Sequence, residues 1–191
     1  MAVIRRILAA ALCALPLGCA DGAPRVPDTA RLQPGQLGTG GDPDVTAANL
    51  AQWAFADPGR TYGRPADAAR AAASMDYIAG ALYTNPRWAN VSAVTKEQLL
   101  QGRQEVRAAL GVVPGTPSQV VVDRLAAAGN ALAAGDQPAA AQVLGPPAFD
   151  ASGEQVLARL SNMPYLRMAN VSTMRAANEL FDSSTGTDWN R

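Results

Sequence analysis

The apolar positions of residues 44–182 recur at helical spacing, and no stretch shows the sustained alternation that is typical of strands. Pro65 is well placed to begin one long helix, and Asn85-Pro86 ends it. The apolar positions that define one face of this helix are Ala71, Met75, Ile78 and Leu82. The pattern predicts an all-α domain, a compact irregular bundle of about six helices.

A central helical hairpin is the clearest unit in this pattern, and it ends at Leu144. Thr116-Pro117 begins its first helix, Gly135 ends that helix in the left-handed conformation, and Asp136 caps the second. The inner face of the first helix is predicted to carry Val121, Leu125, Ala128 and Leu132.

The remaining helices are predicted over residues 45–55, after the cap at residue 95, and around residues 151–161 and 170–182. Thr95 and Gln98 have the spacing of a capping box, and Gly111 can close that helix in the left-handed conformation. The residues expected to face the core from the last two helices are Val156, Leu157 and Leu160, then Met174, Ala177, Leu180 and Phe181.

The first 18 residues have the order of a secretory signal peptide. Arg5 and Arg6 precede an apolar run over residues 7–17. That run is shorter than the roughly 20 residues that a membrane-spanning helix needs. The order therefore predicts export rather than a spanning anchor.

The end of the apolar run, Leu15-Pro16-Leu17-Gly18-Cys19, resembles the lipobox of bacterial lipoproteins. The resemblance implies cleavage before Cys19 and diacylation of its sulfur, although Pro16 and Leu17 depart from the usual residues. By resemblance to enterobacterial sorting, Ala20 after the cysteine implies an outer-membrane lipoprotein that faces the periplasm. The alternative is ordinary cleavage after Ala20, which would give a soluble periplasmic or secreted protein.

Residues 19–43 are rich in Pro, Gly and Asp and show no periodicity. This composition predicts a lipid-anchored flexible tether, with a loop wrapped on the domain as the alternative. Residues 183–191 should form a frayed tail beyond the domain.

Charge and composition exclude several function classes. The chain has 16 basic and 16 acidic residues, and Arg5 and Arg6 leave with the signal, so the mature charge is about −2. This balance argues against nucleic acid as a partner. Cys13 and Cys19 are the only cysteines, both belong to the signal region, and there is no histidine. We therefore expect no disulfide, no metal site and no cofactor in the mature domain.

Carboxylates are the remaining candidates for acid/base chemistry. An envelope hydrolase would need two of them facing each other across a cleft, roughly 5–9.5 Å apart. Glu105 with Arg103 or Arg107 instead favours a solvated charged face. The four glutamates that such a mechanism could use are Glu97, Glu105, Glu154 and Glu179.

Aromatic residues are scarce and concentrated in the first half of the domain. A candidate groove for a peptide or glycan is formed by Trp53, Tyr77, Tyr83 and Trp88, and the alternative is that these side chains anchor the core. Taken together, the patterns predict a non-enzymatic interaction or scaffold module of the cell envelope, anchored by lipid, with an envelope protein or glycan as its partner.

The lipid anchor gives a direct test. Cys19→Ser should abolish acylation and release the protein from membranes, because no other part of the sequence predicts an anchor. Membrane fractionation and the mass of the mature protein measure both effects. A variant that stays in the membrane fraction, with the mass of the mature form unchanged, would rule lipidation out.

Overall fold

The computed structural model describes residues 26–38 and 41–185. This part of the chain contains seven α-helices and no β-strand, apart from an isolated bridge between Val112 and Phe149. The helices are α1 (Pro43–Phe55), α2 (Pro65–Thr84), α3 (Ala93–Leu110), α4 (Ser118–Ala133), α5 (Gln137–Val143), α6 (Gly153–Ser161) and α7 (Arg167–Thr185). The all-α prediction is confirmed, with seven helices where about six were expected.

Helix α2 lies at the centre of the bundle. Every residue from Ala71 to Leu82 is buried, so this helix is covered on all sides, and α1, α3, α4 and α6 pack against it. The predicted face of α2 is confirmed, since all four of its residues are fully buried. Alanine suits a helix at the centre of the bundle because it has the highest helix propensity and a side chain short enough for close packing.

Small residues set how closely the helices approach. A Cβ atom added at Gly102 of α3 would lie 2.7 Å from Cε of Met75 and 3.0 Å from Cα of Ala169. Both distances are shorter than ordinary carbon contacts. Gly102 therefore lets α3 pack against α2 and α7 at the same time.

The predicted hairpin consists of α4 and α5. Gly135 has a φ of 80° at its turn, and the carboxylate of Asp136 accepts the Ala139 amide at 3.0 Å. Gly111 has a φ of 72° at the end of α3, also as predicted. Of the predicted inner face of α4, Val121, Leu125 and Ala128 are buried and Leu132 is half-buried.

The predicted capping box at Thr95 is wrong. Helix α3 begins one turn earlier, where the Ser92 hydroxyl accepts the Thr95 amide at 3.1 Å. Thr95 is buried inside the first turn, and its own hydroxyl donates to Glu179 of α7 at 2.6 Å. The side chain that the local pattern assigned to a cap is therefore used by Glu179, which is distant in sequence.

Helix α1 also begins earlier than predicted, at Pro43, because Asp42 caps it.

The predicted core face of α7 is wrong in part. Leu180 is buried, but Met174 and Phe181 are 44% and 65% exposed. The buried face is made mostly of smaller side chains, and two of them, Ala169 and Ser172, lie against Gly102. Its members are Ala169, Ser172, Thr173, Ala176 and Leu180. The helix starts at Arg167 and continues to Thr185, into the segment predicted as a frayed tail.

Residues 26–38, which we name the N-terminal strap, do not form the free tether predicted for residues 19–43. They lie against the domain, with Ala30 and Leu37 buried in the core. The Gln36 side chain donates to Asp123 of α4 at 2.8 Å. This arrangement matches the alternative of a loop wrapped on the domain. Residues 19–25 and 39–40 lie outside the described residues.

Leu125 tests the placement of the hairpin. Leu125→Ala removes a buried side chain and leaves a cavity, so the free energy of unfolding should fall by about 2–5 kcal/mol. Val120→Ala is the matched control, because Val120 lies on the exposed side of the same helix and should change stability by about 0.5 kcal/mol or less. Urea unfolding measures both. Equal losses for the two variants would contradict the assigned core.

Candidate functional site

The most buried carboxylate at the start of α1 is Asp44, which is 4% exposed. Its Oδ1 accepts the Tyr77 hydroxyl, and its Oδ2 accepts Nε1 of Trp88 at 2.6 Å. Both donors are neutral, and the carboxylate lies in the first turn of α1, where the helix dipole favours negative charge. The three side chains therefore connect α1, α2 and the short 3-10 turn at Pro86–Trp88.

The same contacts fix the protonation of Tyr77. Burial, and then the hydrogen bond and negative charge of Asp44, raise the pKa of Tyr77 far above its usual value. The phenol therefore stays protonated and keeps donating to Asp44. Such a group holds a carboxylate in place and is not available as a base.

Asp42 forms a second polar contact beside this cluster. One carboxylate oxygen accepts the amides of Asp44 and Val45, and the other accepts Arg87, whose guanidinium lies 4.3 Å from the centre of the Trp88 ring. Burial acts to raise the pKa of Asp42, but the Arg87 and backbone hydrogen bonds outweigh it, so the pKa lies below its usual value. Asp42 is thus an ionised helix cap.

A buried ion pair connects α2 to α3. Asp76, inside the buried stretch of α2, accepts Nε and Nη2 of Arg107 at 2.5 and 2.8 Å. Arg107 also donates to the Thr116 carbonyl and to the Ser118 hydroxyl, both at 2.9 Å. The predicted solvated face is therefore wrong: Arg107 is mostly buried against α2 and α4.

Arg103 lies one turn before Arg107 and is only 8% exposed. Its Nη1 donates to the Asp28 carbonyl of the strap at 2.7 Å and to the Ser118 hydroxyl at 3.2 Å, while its Nε has no partner among the described residues. Burial lowers the pKa of Arg103, and the charge of Arg107 lowers it further against the opposing effects of Asp76 and Asp28.

The four candidate glutamates do not face one another across a cleft. Glu105 accepts the amides of Met168 and Ala169 at 2.8 and 3.0 Å, at the start of α7. Glu179 accepts the Ser92 amide at 2.7 Å, at the start of α3. Glu97 and Glu154 lie exposed on α3 and α6. Glu105 and Glu179 therefore accept backbone amides across the contact between α3 and α7.

The candidate aromatic groove is divided between different surroundings. Tyr77 and Trp88 are buried around Asp44, whereas Trp53 lies nine residues further along α1, about 13 Å away along its axis. Tyr83 is half-buried at the end of α2. The proposed lipidation site Cys19 and the predicted signal peptide of residues 1–18 lie outside the described residues.

An exposed surface lies where α1 ends and α7 begins. We name it the aromatic–arginine face, after its residues Trp53, Arg60, Tyr62, Arg64 and Tyr165. Tyr62 and Tyr165 are 70% and 56% exposed there. The half-buried Trp53 ring has the guanidinium carbons of Arg60 and Arg64 at 6.0 and 5.7 Å from its centre, and Arg60 also donates to the Trp53 carbonyl.

Main-chain contacts hold the two loops of this face together. The Gly63 amide donates to the Ser161 carbonyl at 2.9 Å, and Pro58 and Thr61 line the same small hollow as Tyr165. The face is thus defined by Trp53, Arg60, Tyr62, Arg64 and Tyr165. The sequence analysis did not single out this combination, although the spacing of Arg60, Tyr62 and Arg64 in a Gly- and Pro-rich loop is a usable signal.

Three comparisons with known proteins give no relative. No family model, curated protein or solved structure matches this chain. Within residues 26–38 and 41–185, no helix combines the length and apolar character needed to cross a membrane. The same residues contain no cluster of three or more side chains suited to binding a metal ion.

The Asp44 cluster leads to a prediction about stability. Tyr77→Phe leaves one oxygen of a buried carboxylate without its donor, so the free energy of unfolding should fall by about 1–3 kcal/mol at neutral pH. Tyr83→Phe, at a half-buried tyrosine of the same helix, is the matched control. Urea unfolding of both variants measures the difference.

The pH dependence of the same variant follows from the raised pKa of Tyr77. The unfolded chain ionises this phenol near pH 10, while the folded protein keeps it protonated. The stabilisation that protonated Tyr77 gives the folded protein is therefore complete below about pH 10, and it is lost as the pH rises towards the folded-state pKa of Tyr77. Wild type should lose more stability than Tyr77→Phe between about pH 9 and pH 11, and parallel curves would contradict the assignment.

Proposed function

We propose that this chain is an exported, lipid-anchored protein of the cell envelope that acts as a non-enzymatic interaction or scaffold module. The anchor is Cys19, the membrane is the outer membrane, and the domain faces the periplasm. The signal-like order of residues 1–18 and the lipobox-like ending at Gly18-Cys19 support this location.

The aromatic–arginine face carries the proposed interaction. Tyr, Trp and Arg are the residues that most often dominate binding energy at interfaces, and this face combines two exposed tyrosines with Trp53 and its two arginines. The contacts of Arg60 and Arg64 with Trp53 restrict both guanidinium groups before a partner binds. Less conformational entropy is then lost on association.

The position of this face also suits an anchored module. Thr29 of the strap packs on Gly80, near the end of α2, whereas the loop that bears Tyr62 precedes Pro65 at the start of α2. These two positions are about 22 Å apart along the helix. The face therefore lies at the end of α2 that is remote from the described N-terminal residues, and it can meet an envelope protein or glycan.

A hydrolase with paired carboxylates is less well supported. Glu179 and Asp182 line a hollow of about 340 Å³ together with Asn90 and Ser92, but both acids come from one face of α7. Burial acts to raise the pKa of Glu179, and hydrogen bonds from Thr95 and Ser92 outweigh it, so the pKa lies below its usual value. A general acid needs the opposite shift.

Site-specific photocrosslinking in intact cells tests the interaction. A photoreactive amino acid at position 165 should give a discrete adduct, and Tyr62→Ala should strongly reduce it, because both residues belong to one face. The control is the same amino acid at Val94, an exposed apolar position on α3. An adduct that protease treatment removes identifies a protein partner, and an adduct that resists protease identifies a glycan. Equal adducts at both positions, or none at 165, would refute the proposed face.

A further inference from the structure

The strap occupies a groove between α2, α3 and α4. Residues 28–32 have no regular secondary structure, and they lie against Gly80 of α2, Arg103 of α3, and Ser118 and Gln119 of α4. This groove is remote from the aromatic–arginine face. It is also occupied by a peptide segment of known sequence, so its selectivity can be derived from the contacts.

Several of these contacts are made to main-chain atoms, which any peptide possesses. Gln119 accepts the Arg31 amide at 2.8 Å and donates to the Arg31 carbonyl at 3.1 Å, so one side-chain amide pairs with both polar groups of one peptide residue. Arg103 donates to the Asp28 carbonyl at 2.7 Å. These contacts provide affinity for a peptide without depending on its side chains.

Two other features select the side chains. The Asp28 carboxylate accepts the Ser118 amide at 2.5 Å, at the N-terminus of α4, where a negative charge is favoured. A Cβ added at Gly80 would lie 2.7 Å from Cβ of Thr29 and 2.8 Å from the Asp28 carbonyl oxygen, and Ala30 is buried. The groove therefore fits an acidic residue followed by two small ones.

Arg103 is the main polar contact of the groove with the main chain of the strap. It is more than nine-tenths buried, its Nε has no partner among the described residues, and Asp28 supplies one of its two acceptors. A buried cation without acceptors is costly. In the filled groove the Asp28 carbonyl supplies one of the two hydrogen-bond acceptors of Arg103, so a peptide carbonyl at this position satisfies a cation that the strap helps to bury.

We propose that the groove between α2, α3 and α4 is a recognition site for a peptide segment in which an acidic residue is followed by two small residues. Residues 28–32 fill it as an intramolecular ligand, and a segment of the same chemistry from a partner protein displaces them. This proposal does not depend on the lipid anchor or on the aromatic–arginine face.

The test separates the strap from the domain after folding. A protease site is inserted between Gly38 and Gly41 of the full chain, and the folded protein is cut there. The strap fragment should stay bound during size-exclusion chromatography, and an excess of a synthetic peptide of residues 26–37 should displace it. A fluorescent form of that peptide should then bind in a saturable way, while circular dichroism remains helical.

Matched variants decide whether binding occurs in this groove. Gly80→Ala should lower the affinity for the peptide at least about tenfold, a difference of roughly 1.4 kcal/mol. Gly145→Ala should leave it unchanged, because a methyl group there meets nothing within 4 Å. Peptides carrying Asp28→Asn or Ala30→Asp should also bind at least about tenfold more weakly, and these two tests do not depend on the folding of any variant.

Three results would overturn the proposal. The first is loss of helical signal when the strap fragment leaves, which would make the strap an integral part of the fold. The second is failure of the peptide to bind the vacated domain. The third is equal affinity for the original peptide and its Asp28→Asn and Ala30→Asp forms, which would show that the groove does not select this chemistry.

Discussion

The burial of the central stretch of α2, residues 71–82, is the constraint on which the rest of the bundle depends. Alanines in this stretch let the surrounding helices approach closely, and Met75, Ile78 and Leu82 fill the space between those contacts. A buried alanine removes little apolar area from water, and each Å² of apolar area contributes only about 25 cal/mol. Stability therefore comes from many close contacts together with a few large side chains. Gly102 of α3 has the same effect, because the absence of a side chain there lets α3 approach α2 closely.

One polar residue inside α2 organises the surrounding elements. Asp76 cannot remain buried without a cation, and Arg107 of α3 provides it through two hydrogen bonds. Arg107 then contacts Ser118 of α4, and Ser118 contacts Asp28 of the strap. A connected series of polar contacts thus runs from one buried carboxylate of α2 through α3 and α4 to the strap. Such a network specifies a unique arrangement, whatever its net contribution to stability.

The sequence was informative where local chemistry decides the structure. The ends of α2, the left-handed glycines at 111 and 135 and the Asp136 cap were predictable, because Pro, Gly and Asp act on the backbone within a few residues of themselves. The buried Asp76 had a signal too, since it is the only charged residue in the stretch from Ala71 to Leu82. Its partner Arg107 had none, because the contact joins residues far apart in sequence.

The errors also have physical causes. Met174 and Phe181 have the spacing of a core face, yet α7 buries its smaller side chains, because Gly102 of α3 admits them closely. The strap has the composition of a flexible segment, and its packed state shows only in contacts with the folded domain, such as those with Gln119 and Asp123 of α4. Neither outcome can be derived from periodicity or composition, since both depend on surfaces created by folding.

The proposed exchange of the strap would also change the distance between the domain and the proposed lipid anchor at Cys19. Residues 26–38 are packed on α4 when the groove is filled by the chain itself. In the proposed exchange a partner peptide displaces residues 28–32, and five extended residues span up to about 18 Å. Under the proposed anchoring at Cys19, binding at the groove would therefore lengthen the connection between the lipid and the domain. The aromatic–arginine face, about 22 Å away along α2, would then reach further from the proposed membrane surface.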